Sequence, residues 1–78
     1  MNWTLHEKIG GRWEQVYTGP SGDRCKSVAK EMIQRETTEN AYRRQFLIRN
    51  SAGNDWMKSV PTGYWRLKWV YAESGENP

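Results

Sequence analysis

Apolar and polar residues alternate from the start of this chain. Trp3, Leu5 and Ile9 fall on one side of an extended segment, and Thr4, His6 and Lys8 on the other. Gly10-Gly11 interrupts the pattern, and Trp13, Gln15 and Tyr17 resume it, which predicts a β-hairpin. A two-residue loop pairs Ile9 with Arg12 and sets Trp13 and Tyr17 opposite the first strand's apolar set. A three-residue loop, Gly10-Gly11-Arg12, pairs Ile9 with Trp13 and Leu5 with Tyr17. It gathers Trp3, Leu5, Ile9, Trp13 and Tyr17 on one side and is therefore expected.

Gly19-Pro20-Ser21-Gly22 ends the hairpin, and Ser21 is placed to cap a helix with Asp23 in its first turn. Cys25, Val28, Ala29, Met32 and Ile33 then recur at helical spacing, the mark of one buried face. Thr37, Thr38 and Asn40 are poor helix formers, so the helix should end near residue 37. Alternation returns from Ala41 to Asn50. Tyr42, Arg44, Phe46 and Ile48 take one face; Arg43, Gln45, Leu47 and Arg49 take the other. Asn50 to Asp55 reads as a turn, Trp56 to Val60 as a short strand and Pro61-Thr62-Gly63 as a second turn. An even-length loop there sets Trp56 and Val60 beside Trp65, Leu67 and Trp69, but it also points Lys58 at the apolar side.

The last strand carries the densest pattern: Trp65, Leu67, Trp69 and Tyr71 on one side, Arg66 and Lys68 on the other. The element order is β-β-α-β-β-β. It implies an α+β fold, an antiparallel sheet of four to five strands with one helix packed on one face. Residues 1–72 form the expected single domain, and the polar, acidic stretch 73–78 an expected disordered tail.

Composition narrows the chemistry. A chain of 78 residues buries a modest core, and one cysteine and one histidine offer neither a disulfide nor a Cys/His metal cluster. Five tryptophans supply core area instead. Cys25 lies on the helix's apolar stripe and His6 on the hairpin's polar side, each without a partner for nucleophilic or acid–base work. No glycine-rich phosphate loop is present. No catalytic residue, cofactor or metal is expected. No apolar run approaches membrane-span length, and the N-terminus lacks the order of a signal peptide, so the expected setting is cytoplasmic and away from membranes.

Twelve Lys and Arg against nine Asp and Glu give a net charge of +3, a mild bias towards anionic partners. If the third and fifth strands share an outward surface, Arg43, Arg49, Arg66 and Lys68 lie on it with Tyr64 nearby, able to grip phosphates or acidic groups. Trp56, beside a turn in the shortest strand, is the expected half-exposed anchor for a protein partner. Arg24, Lys26 and Lys30 form a second basic patch on the helix. Lys26 and Lys30 are like charges one turn apart, a small stability cost that a binding role would explain.

A chain of this length and element order resembles the small accessory proteins of bacteriophages. In outline it is similar to the anti-CRISPR proteins, compact inhibitors that bind a CRISPR effector complex and block its target DNA. The similarity spans residues 2–72 in length and element order and carries no sequence motif, so no functional residue transfers. It implies a non-enzymatic inhibitor in a bacterial cytoplasm whose basic residues meet an acidic effector surface or hold DNA unproductively. The alternative class is a largely sequence-nonspecific binder of DNA or RNA. An exposed strand edge leaves monomer and homodimer both open.

Overall fold

A computed structural model describes residues 2–36, 43–63 and 65–72. Tyr42, Tyr64 and the tail expected over 73–78 lie outside the described residues. The fold is α+β. Strands β1 (Trp3–Ile9), β2 (Arg12–Gly19), β3 (Phe46–Arg49), β4 (Asp55–Gly63) and β5 (Arg66–Tyr71) form one antiparallel sheet, and helix α1 (Gly22–Gln34) packs on one face. The sheet order is β2-β1-β3-β4-β5, so β3 is central and β2 and β5 are the edges.

The helix follows its sequence pattern. Ser21 is the N-cap, its Oγ accepting from the Arg24 N–H at 3.1 Å, and Asp23 stands in the first turn. Cys25, Ala29 and Ile33 point into the core, where they meet Leu5, Phe46 and Ile48, with Val28 and Met32 at the flanks. The helix ends at Gln34, three residues before the expected end, with Arg35 as C-cap.

The first hairpin corrects the expected loop. Ile9 pairs with Arg12 across a two-residue Gly10-Gly11 turn, and both glycines have positive φ (61° and 80°), the signature of a turn that matches strand twist. Leu5 still faces Tyr17, because the register shifts between Leu5 and His6 and leaves Val16 as an extra residue in β2. That bulge reverses side-chain parity within one strand. Tyr17 stays on the helix side, while Trp13 pairs with Lys8 on the opposite, outer face, where the Lys8 ammonium lies 5.6 Å from its ring centroid. Ile9, expected in the core, is 51% exposed.

A second bulge resolves the conflict over Lys58. Arg49 pairs with Asp55 and Ile48 with Met57, so Trp56 is the extra residue. Trp56 reaches the helix side while Lys58 and Val60 take the outer face, overturning the expectation that Val60 lies beside Leu67 and Trp69. Strand β4 also runs through Pro61-Thr62-Gly63, expected as a turn. Proline fits there because pairing with β3 reaches only to Lys58 and Pro61 faces Leu67 of β5 alone, so no β3 carbonyl waits for its missing N–H. Beyond the β3–β4 ladder, the Phe46 N–H donates to Ser59 Oγ at 2.8 Å.

Two further core expectations fail in β5. Leu67 and Trp69 pack against the core, but Tyr71 is 71% exposed and Trp65 42% exposed. Trp65 precedes the strand, and its φ of 60° takes it out of strand alternation.

Candidate functional site

The outward basic surface expected from alternation does not assemble. Strand β4 separates β3 from β5. Arg49 lies opposite Asp55 at one end of β4, and Arg66 opposite Gly63 at the other, eight residues and so about 26 Å along the strand. The Arg49 Nε donates to Asp55 Oδ1 at 2.8 Å, which neutralises its charge locally. Arg43 precedes β3 rather than lying on it, and it is exposed. Lys68 is exposed on the outer face opposite Val60. Trp56 is partly exposed, as expected. Its ring meets Trp3 edge-on at 4.9 Å, sits against Gly22 and lies 4.8 Å beneath the Lys26 ammonium.

Cations and aromatics converge elsewhere, in a groove of about 620 Å³ between α1 and β5. Lys26, Lys30 and Gln34 recur at i, i+4 and i+8, so one flank of the helix forms a wall beside the buried stripe. Leu67 and Trp69, alternate residues of β5, form the opposing side. Thr62, Trp65 and Arg66 close the end at the β4–β5 connection. The Trp65 indole N–H donates to the Glu36 carbonyl at 2.6 Å, tying that connection to the end of the helix. A non-glycine residue at positive φ costs about 1–3 kcal/mol and recurs at functional sites. Among the described residues no carboxylate lines the groove, and Lys26, Lys30 and Arg66 set its sign. Of the second basic patch, Lys26 and Lys30 belong to the groove; Arg24 is exposed outside it.

A polar cluster occupies the middle of the outer face. His6, 7% exposed, pairs with Leu47 of β3, and its Nε2 lies 2.9 Å from Thr4 Oγ1, while its buried Nδ1 has no hydrogen-bond partner among the described residues. Burial chiefly, and then the Arg49 charge, push the His6 pKa below its ordinary 6.5, with Asp55 opposing. Burial raises the Cys25 thiol, which suits an inert core cysteine. Among the described residues, no three His, Cys, Asp or Glu side chains gather to hold a metal, and no helix is long and apolar enough to cross a membrane.

Compared with known proteins, the chain matches no family model, no curated protein and no solved structure.

Sequence reasoning identified Lys26, Lys30 and Arg66 but assigned them to two surfaces. It missed Trp65, Leu67 and Trp69 as groove residues, having placed all three in the core. The legible signal was the like-charge pair Lys26 and Lys30, a spacing that costs helix stability unless something anionic comes between the two.

Proposed function

We propose that this chain is a small binding protein without a catalytic task, and that the α1–β5 groove seats an anionic segment of a partner protein. One observation carries this reading: Lys26, Lys30 and Arg66 share a concave surface with Trp65 and Trp69, and among the described residues no carboxylate lines it. Such a surface supplies charge for recognition and aromatic area for contact. The partner we favour is a complex that handles nucleic acid, which the protein inhibits by occupying a site needed for target DNA. The likeness in size and element order to phage-encoded CRISPR inhibitors supports that form. Purified CRISPR effector complexes provide the test. In at least one, added protein should abolish target-DNA binding, and Lys26→Glu/Lys30→Glu should restore it. Unchanged DNA binding across the panel would sink the inhibitor reading.

A second reading, direct binding of single-stranded nucleic acid, is favoured by the two tryptophans beside the cations, since exposed aromatic rings stack on bases. It requires tryptophan quenching by an oligonucleotide and affinity that falls steeply with salt. Flat titrations at low salt would dismiss it.

A further inference from the structure

We propose that β5 is a strand-addition site: an extended acidic segment of a partner protein pairs with the open edge of β5 and lays alternate carboxylates against Lys26 and Lys30. This rests on the reading of the α1–β5 groove as the binding site. Strand β5 pairs with β4, and no strand among the described residues lies on its other side. An edge strand presents backbone donors and acceptors at strand spacing, ready to align a peptide. The groove runs beside this same strand, with Leu67 and Trp69 on one side and Lys26 and Lys30 on the other.

The spacings agree. Alternate residues of an added strand repeat about every 6.6 Å. Residues four apart on a helix rise about 6 Å. On a strand running along α1, carboxylates at i and i+2 therefore match the spacing of lysines at i and i+4 of the helix. Lys26 keeps hydrogen-bonding capacity for this, because its contact with Trp56 is to the ring face.

Charge selects the occupant. A second copy of β5 added antiparallel about Lys68 sets Lys68 against Lys68, and centred on Leu67 it sets Arg66 against Lys68. Like charges directly opposite are destabilising, so self-pairing in these two registers is disfavoured, while Lys26 and Lys30 on the helix side favour an acidic strand. A nucleic acid has no ladder of amides with which to use the edge.

The test uses the full chain, isotope-labelled for amide exchange. Its probes are a peptide of about ten residues with Glu at alternate positions, an isomer with the same residues and its Glu clustered, and an oligo-dT strand. The alternating peptide should bind about tenfold more tightly than its isomer and slow exchange of the β5 amides. Lys26→Glu/Lys30→Glu, checked for native circular dichroism, should lose that binding about tenfold, and a peptide with Lys in place of Glu should regain it. Equal binding of the two isomers with β5 unprotected overturns strand addition; if charge reversal still abolishes binding, the groove reading survives. Indifference to charge reversal overturns both. Protection of β5 that grows with protein concentration alone assigns the edge to a second copy, and oligo-dT binding without peptide binding assigns the groove to nucleic acid. Either result overturns the proposal.

Discussion

Arg44 grips both carboxylate oxygens of Glu7, Nε donating at 2.7 Å and Nη2 at 2.8 Å, across the join between the segment preceding β3 and strand β1. The same guanidinium donates through Nη1 to the Met32 carbonyl at 3.1 Å and lies 3.6 Å from Glu36, so one side chain fastens sheet to helix end. Glu7 is buried, which makes the pair costly to split. Arg44→Ala should destabilise the protein by about 3 kcal/mol, because it leaves Glu7 without its counter-charge. The double variant Glu7→Gln/Arg44→Met should recover most of that loss. A denaturant double-mutant cycle checks both, and a purely additive cycle would show that the two residues act independently.

His6 gives stability a pH dependence. Its folded pKa lies below the 6.5 expected unfolded, so the unfolded chain binds the extra proton. The contribution is complete above pH 6.5 and is lost as pH falls through the interval down to the folded pKa. Melting temperature should drop as pH is lowered from about 7.5 towards 5, and His6→Gln should flatten part of that slope. The Arg49–Asp55 pair faces the same cluster, so Asp55→Asn, which removes the opposing acidic charge, should steepen it. Parallel slopes for wild type and His6→Gln would remove His6 from the account.

Trp56 rests on a bare backbone. A Cβ at Gly22 would clash with the Trp56 six-membered ring at Cζ3, so Gly22→Ala must displace the indole from between Trp3 and Lys26. A loss of about 1–3 kcal/mol is expected, with a shift in tryptophan emission. Unchanged stability and emission would mean that the ring moves aside freely.

The hairpin turn invites a gain. Both of its glycines adopt positive φ, and nothing lies within 4 Å of a Cβ built at Gly10. Gly10→Asn, which tolerates this conformation and suits the first position of such a turn, should stabilise by about 0.5 kcal/mol. Gly10→Val should cost about 1–2 kcal/mol instead. Chemical denaturation distinguishes the two, and a stabilising valine would contradict the turn geometry.

Local signals in the sequence determined the helix, its Ser21 cap, its buried stripe, the strand order along the chain and the α+β class. Each depends on residues within a turn or two of one another, where sterics and capping act directly. Side-chain facing was legible for Leu67 and Trp69 but not in the two strands that carry bulges. One extra residue at Val16 and another at Trp56 reverse parity in mid-strand, moving Trp13 and Val60 to the outer face while keeping Tyr17 and Trp56 towards the helix. Bulges are fixed by pairing with a neighbouring strand, which alternation in one segment does not report. The candidate site was divided for the same reason. Composition marked Lys26, Lys30 and Arg66 as available cations. Their meeting with Trp65 and Trp69 depended on β5 taking the sheet edge beside one flank of α1, a choice made by long-range packing.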